Sequence, residues 1–255
     1  MNAFQRAADI YRVTRKTDDF LWARYPSRPF AALFLALTYR FRPTPNLITV
    51  GSLVVGMLAC VMFATLPGYG GLWAAFAMSQ LAFIVDCMDG MQSRYAKLRS
   101  PVGVSFDYLI DAIKQFFIFP AIAVRLWWEP GAGMAEPFGW FGLSTGPEGW
   151  LLFAAAAGPI VATPIVMTSF MRSPAYTGEQ SQASRPPRGL LMRTIGFLLN
   201  YPSWIIIPVA LNRMDLFLWI SVPLYAAYAG FNLLLMWRKI VPMRHYDEIA
   251  KQNAE

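Results

Sequence analysis

The chain has 255 residues, of which 56% are hydrophobic and only 15% are charged. Soluble domains usually carry about 25% charged residues, so the composition argues against an ordinary soluble domain and for a helical protein that crosses a membrane several times. The net charge of +7 fits loops that face anionic lipid. In so apolar a chain it does not indicate a nucleic-acid partner.

The N-terminal region predicts a surface helix followed by the first membrane span. Residues 1–42 carry eight Lys and Arg. Within them, Pro29 to Tyr39 predicts a short amphipathic helix that lies on the bilayer surface, because it is too short to cross it. Thr44 is a good N-cap and Pro45 a good first helical residue, so a spanning helix is expected to begin there and to run to about Leu66.

Five more apolar segments are long enough to cross a bilayer. Their approximate bounds are 72–90, 103–126, 149–171, 189–211 and 215–237. The expected fold class is therefore all-α: a polytopic integral membrane protein with six transmembrane helices and an N-terminal amphipathic interfacial helix. The predicted layout is an N-terminal segment at 1–43, a transmembrane catalytic domain at 44–237 and a tail at 238–255.

The distribution of positive charge predicts the orientation. Lys and Arg are concentrated in the N-terminal segment, in the loops after the second and fourth spans, and in the tail. The intervening loops have almost none, so both termini are expected to face the cytoplasm. Arg125 falls toward the opposite end of the third span and is interpreted as an end residue that snorkels to the interface.

Four aspartates lie at the facing ends of the second and third spans. Asp86 and Asp89 are three residues apart, and Asp107 and Asp111 are four apart, so each pair shares one helix face. The short loop between the spans predicts that the two helices are antiparallel neighbours whose carboxylates converge. Carboxylates that close require either protonation or a counter-charge, and oxygen ligands at this density suit Mg²⁺ or Mn²⁺.

Nearby basic residues indicate where an anion could bind. Arg94 could hold a phosphate through two hydrogen bonds. Lys114 lies one turn beyond Asp111, and two interpretations stay open: a ligand for a phosphate on a second substrate, or a counter-ion for the aspartates. Arg172 and Arg193 would complete an anion pocket if they converge on the same site, although each alone is more typical of a residue that snorkels to lipid headgroups.

The motif as a whole resembles the signature of the CDP-alcohol phosphotransferases, D-x₂-D-G-x₂-A-R followed by G-x₃-D-x₃-D. The matching positions are Asp86, Asp89, Gly90, Arg94, Gly103, Asp107 and Asp111. The chain departs from the signature at Ser93, where the family has alanine. The segment Thr44-Pro45-Asn46 with Thr49 after it, the amphipathic N-terminal helix and the six-span layout are also similar to this family.

The resemblance implies a chemistry and its residues. It implies two divalent cations, Mg²⁺ or Mn²⁺, held by Asp86, Asp89, Asp107 and Asp111, with Asp111 also the general base. It implies nucleotide contacts from Asn46, Gly90, Ser93, Arg94, Gly103 and Asp107. The expected reaction moves a phosphatidyl group from a CDP-linked lipid, CDP-diacylglycerol, to a small alcohol and releases CMP in phospholipid synthesis. An anion pocket of Lys114, Arg172 and Arg193 would indicate a phosphorylated acceptor such as glycerol 3-phosphate or inositol phosphate.

The resemblance further implies a homodimer. The expected location is the bacterial inner (plasma) membrane, and the loop charges predict that the active site faces the cytoplasm. The alternative function is an ion-coupled transporter that uses intramembrane carboxylates. That alternative predicts acidic residues near mid-membrane on several helices and repeats with broken helices, whereas the aspartates here cluster at one end of two helices. A non-catalytic scaffold would give no reason for four aspartates, which are costly near lipid.

Overall fold

The computed structural model describes residues 2–15, 22–98, 100–129, 131, 133, 137–138, 142–171 and 196–240. The described residues form helices joined by turns and contain no β-strand. The all-α prediction is confirmed for this part of the chain.

Two α-helices precede the first predicted span, with a π-helical segment at Ala23–Ser27 and a 3₁₀ segment at Tyr39–Phe41 on either side of the second. Helix α1 (Ala3–Thr14) was not predicted, although a local signal for it exists. The Asn2 side chain accepts the Gln5 backbone N–H at 2.8 Å, and the Gln5 side chain accepts the Asn2 N–H at 3.1 Å. This reciprocal pair is a capping box, which satisfies N–H groups that the first helical turn leaves without partners. Helix α2 (Arg28–Thr38) lies where the surface helix was predicted.

Three long helices carry the sequence motifs: α3 (Pro45–Thr65), α4 (Gly68–Tyr95) and α5 (Pro101–Trp128). Both α3 and α5 begin with proline and are capped by the preceding hydroxyl residue, Thr44 or Ser100. Each hydroxyl oxygen accepts the backbone N–H three residues further on, at 3.4 Å and 3.0 Å respectively. The predicted start of the first spanning helix is therefore confirmed, with its chemical reason.

Helix α4 is longer than predicted. The second span was expected to end near residue 90, but the helix continues to Tyr95. Gly90 and Arg94 consequently lie within the helix and not in a loop. A glycine inside a helix costs about 1 kcal/mol relative to alanine, and tertiary packing outweighs that cost here: Met88 and Met91 are buried against α1 and α2.

The predicted convergence of the carboxylates on α4 and α5 is confirmed, since oxygens of Asp86 and Asp89 lie within 4.8 Å of an Asp107 oxygen, and Lys114 of α5 pairs with Asp86. Side chains make this contact between the two helices. Helix α3 packs closely against both α4 and α5, whereas the backbones of α4 and α5 hardly approach each other. The space between α4 and α5 is lined by polar and charged side chains. Such side chains favour an open cleft over the close apolar contact that joins α3 to its neighbours.

The remaining helices complete the described bundle. They are α6 (Gly149–Met171), α7 (Tyr201–Trp204), α8 (Ile206–Ala210) and α9 (Met214–Ile240). Four helices, α3, α4, α6 and α9, are long and apolar enough to cross a membrane. Helix α5 has 28 residues, which is sufficient length, but it carries too many charged residues to qualify by composition. Since the predicted fifth span begins outside the described residues, the number of six spans stays a prediction.

Arg125 does not have the role that the sequence suggested. Its side chain is fully buried and donates hydrogen bonds to the Leu66 and Gly68 carbonyl oxygens at 2.6 and 2.7 Å. It also pairs with Glu129 at 2.6 Å, and Glu129 accepts the Gly68 N–H. Arg125 therefore ties the end of α5 to the turn between α3 and α4, because the backbone carbonyls of that turn need donors.

Candidate active site

The carboxylate motif of α4 lies along one face of a continuous helix. Asp86, Gly90 and Arg94 are spaced by four residues, and Asp89 and Ser93 fall beside them. This spacing stacks the side chains over successive turns. Gly90 has a specific reason: a side-chain carbon there would lie 3.4 Å from a terminal nitrogen of Arg94, so the glycine lets the guanidinium lie close to the helix surface.

Helix α5 presents the matching face. Gly103, Asp107 and Asp111 are also spaced by four residues, and Lys114 follows on the same side. A carbon added at Gly103 would lie 3.0 Å from the Ser100 hydroxyl oxygen that caps the helix. Glycine at this position therefore protects the start of the helix and keeps the space in front of Asp107 open.

Three of the four aspartates converge. Asp86, Asp89 and Asp107 each offer one carboxylate oxygen, and these oxygens lie within 4.8 Å of one another. The Oδ1 atom of Asp107 is buried and has no hydrogen-bond partner among the described residues. A buried acceptor without a donor is costly, and a hard divalent cation would satisfy it with the oxygen ligands that such ions prefer. The donor set thus fits Mg²⁺ or Mn²⁺.

The fourth aspartate, Asp111, is paired with Lys114. The Lys114 ammonium lies 2.8 Å from Asp111 Oδ1, donates a short hydrogen bond to Asp86 Oδ1, and lies 3.3 Å from the Ser52 hydroxyl oxygen. An ammonium has three N–H groups, and three oxygens are in place for them. Of the two interpretations left open for Lys114, these contacts support the counter-ion.

Thr49 contacts the carboxylate cluster although the sequence assigned it no role. Its hydroxyl donates to Asp89 Oδ2 at 2.6 Å, and both residues are buried. The same hydroxyl lies 3.1 Å from the Pro45 carbonyl oxygen, but it has only one proton, and the shorter contact with a carboxylate is the stronger bond. The signal was present: Thr49 follows the Thr-Pro-Asn start of α3 by one helical turn.

A cleft of about 290 Å³ opens beside the cluster. All six residues assigned to the nucleotide line it: Asn46, Gly90, Ser93, Arg94, Gly103 and Asp107. Thr49, Asp89 and Tyr108 also line it. The structure therefore brings together, from three helices, residues that the sequence analysis grouped only by resemblance.

A smaller cavity of about 50 Å³ lies on the other side of the carboxylates. Its polar lining includes Asp86, Asp111 and Lys114 together with Asn200 and Tyr201. The four aspartates thus divide between two spaces, since Asp89 and Asp107 face the larger cleft. Arg172 and Arg193, the other two residues of the predicted anion pocket, lie outside the described residues.

Fold and site together define a class: a helical membrane protein with carboxylates placed for a divalent cation at the edge of a polar cleft. A comparison with known protein families agrees with this class. The family model described as CDP-alcohol phosphatidyltransferase matches residues 42–224, more than two thirds of the chain. A comparison with curated proteins finds no match.

This chain belongs to the CDP-alcohol phosphatidyltransferase family. It is accordingly a transferase of substituted phosphate groups, in a family that moves phosphatidyl groups from CDP-alcohols in phospholipid synthesis and depends on divalent cations. The matched range includes α3, α4 and α5 in full. It also includes every residue that lines the two cavities.

Proposed function

We propose that the protein transfers a phosphatidyl group from CDP-diacylglycerol to a small alcohol, releases CMP, and requires Mg²⁺ or Mn²⁺. One observation supports this most strongly. The converging oxygens of Asp86, Asp89 and Asp107 lie at the edge of a cleft lined by all six residues expected to contact the nucleotide. A transporter has no comparable support, because the carboxylates are gathered at one cleft and not distributed along a path.

The donor's nucleotide fits the larger cleft. Its volume of about 290 Å³ is at the lower end of small-molecule sites, roughly 300–1,000 Å³, which suits one polar head whose acyl chains stay in lipid. Arg94 lies at the cleft wall, where its guanidinium would hold the diphosphate. Asn46 and Ser93 provide polar groups for the sugar and base.

The metal site consists of Asp86, Asp89 and Asp107. A bound Mg²⁺ or Mn²⁺ polarises phosphoryl oxygens and offsets charge that develops during displacement. Thr49 holds the Asp89 carboxylate in place through its hydrogen bond, and partners of this kind orient metal ligands.

Asp111 is the general base. Its side chain is 37% exposed, compared with 17% for Asp86, so a substrate hydroxyl can reach it. The acceptor hydroxyl gives its proton to the Asp111 carboxylate as its oxygen bonds to the phosphorus that bears the diacylglycerol. The bond between that phosphorus and the bridging oxygen of the diphosphate breaks, and CMP leaves. Lys114 orients the Asp111 carboxylate for this step through the ion pair at 2.8 Å.

The proposals for the acceptor, the topology and the oligomer rest on the sequence. We retain Arg172 and Arg193 as candidate ligands for a phosphorylated acceptor, while Lys114 serves the aspartates. The active site and both termini are assigned to the cytoplasmic side of a bacterial inner membrane from the charge of the loops. A homodimer is expected from the resemblance, and cross-linking in native membranes would test it.

The proposal is tested with purified protein in detergent, CDP-diacylglycerol, Mn²⁺ or Mg²⁺, and a panel of free and phosphorylated alcohols. CMP release is measured by chromatography. General-base steps contribute about 10²–10⁴-fold, so Asp111→Asn should lower the rate by at least 100-fold. Asp9→Asn is the matched control, because Asp9 lies on α1 and contacts Arg12 and Tyr95 away from the cleft.

Two results would overturn the proposal. One is the absence of CMP with every alcohol, and the other is full activity of Asp111→Asn. Once an acceptor is found, the KM of that acceptor in Arg172→Ala and Arg193→Ala reports on the anion pocket, which is excluded if neither KM changes.

A further inference from the structure

The Lys114 side chain packs into a space formed by α3 and α4. Its side chain is buried, with 6% of its surface exposed. Its stem passes Gly56 of α3, where an added side-chain carbon would lie 3.1 Å from Lys114 Cγ and Cδ. Its ammonium ends between Ser52, Asp86 and Asp111. The room for the stem and the three oxygens for the head come from different helices, so the lysine is built into the site.

Lys114 lies between the two carboxylates that a second metal ion would bridge. Ligand oxygens approach Mg²⁺ to about 2.0–2.1 Å, and two-metal sites place their ions about 3.5–4 Å apart. The Oδ1 atoms of Asp86 and Asp111 already contact the ammonium. A second divalent ion at these oxygens would compete with the ammonium for them and would be repelled by it.

The charges of the site agree with a single ion. Asp86, Asp89, Asp107 and Asp111 bring four negative charges when ionised. One divalent cation, Lys114 and Arg94 balance them before the donor enters. A second divalent cation would add two positive charges next to the buried Lys114 ammonium, where unbalanced charge is expensive.

We propose that the protein itself holds one divalent cation, between Asp86, Asp89 and Asp107, and that the Lys114 ammonium takes the place of the second ion expected from the sequence. This inference rests on the metal site of the proposed function. It assigns Lys114 as a positioning residue that fixes Asp86 for the ion and Asp111 for the acceptor hydroxyl.

The number of bound ions tests the inference without any turnover. Full-length protein in detergent is titrated with Mn²⁺ in the absence of CDP-lipid, and free Mn²⁺ is measured from its electron paramagnetic resonance signal. We expect one Mn²⁺ per chain for the unmodified protein and two per chain for Lys114→Met, which releases the Asp86 and Asp111 oxygens. Lys97→Met is the matched control, because Lys97 is exposed at the end of α4, and it should bind one ion.

A second variant, Asp111→Asn, tests the same inference if Lys114→Met does not fold. Asp111→Asn should still bind one Mn²⁺ with an affinity within about threefold, since Asp111 is paired with the lysine and not with the ion. Two Mn²⁺ per unmodified chain, or loss of one ion in Asp111→Asn, would overturn the inference. No Mn²⁺ binding at all would overturn it together with the metal site, whereas one ion without CMP release would leave it standing and refute the proposed reaction.

Discussion

The hydrogen bond from Thr49 to Asp89 gives the sharpest prediction about the metal site. Thr49→Val keeps the shape of the side chain but removes the hydroxyl that lies 2.6 Å from Asp89 Oδ2. Hydrogen bonds to charged groups contribute about 1.5–3 kcal/mol, and each 1.4 kcal/mol is tenfold in affinity. Both residues are at most 6% exposed, so water replaces the lost donor poorly. We expect Mn²⁺ to bind about 10- to 100-fold more weakly, in the range that outer-sphere partners of metal ligands usually show.

The assay is a Mn²⁺ titration of Thr49→Val, read both as bound ion and as the concentration that half-saturates CMP release. Thr49→Ser is the matched control, since it retains a hydroxyl at the same atom position, and its affinity should stay within about threefold of the unmodified protein. An unchanged Mn²⁺ affinity in Thr49→Val would refute the reasoning. A similar loss in Thr49→Ser would refute it too, because the methyl group and not the hydroxyl would then be responsible.

Two further substitutions follow from the packing. Gly56→Ala should lower CMP release about tenfold, because the added carbon comes within 3.1 Å of the Lys114 side-chain stem. Gly51→Ala is the control and should be active, because its added carbon meets the nearest side chain at an ordinary 4.0 Å. Equal activity of the two variants would contradict the packing argument. Breaking a buried ion pair costs about 3–5 kcal/mol, so Arg125→Met should lower the midpoint of thermal denaturation in detergent by roughly 6–20 °C. Glu129→Gln should lower it less, since the two carbonyl contacts of Arg125 remain.

Much of the site could be predicted because its residues follow the helical period. Asp86, Asp89, Gly90 and Arg94 share one face of α4 by spacing alone, and hydropathy sets the apolar segments around them. The prediction that α4 would end near Gly90 was wrong for a tertiary reason. Glycine lowers local helix preference, and the packing of α1 and α2 against α4 is a long-range effect that a local reading omits.

Contacts between distant helices could not be predicted. Nothing local distinguishes an arginine that snorkels from Arg125, which binds carbonyl oxygens about 60 residues away in the chain. The same holds for Thr49, whose partner Asp89 is 40 residues away. A sequence pattern predicts the helix face on which a side chain lies, but it does not predict which atoms of other helices that side chain contacts.

The sequence by itself determined the class of fold, the carboxylate motif and the family chemistry, because hydropathy, helix caps and spacing are local properties. Only the tertiary structure decided how the four aspartates divide. Helix α3 packs against both α4 and α5, brings Thr49 to Asp89 and leaves room at Gly56 for Lys114. Asp86, Asp89 and Asp107 thereby converge, and Asp111 pairs with Lys114, which also contacts Asp86, since distances between helices depend on how all of their side chains pack together.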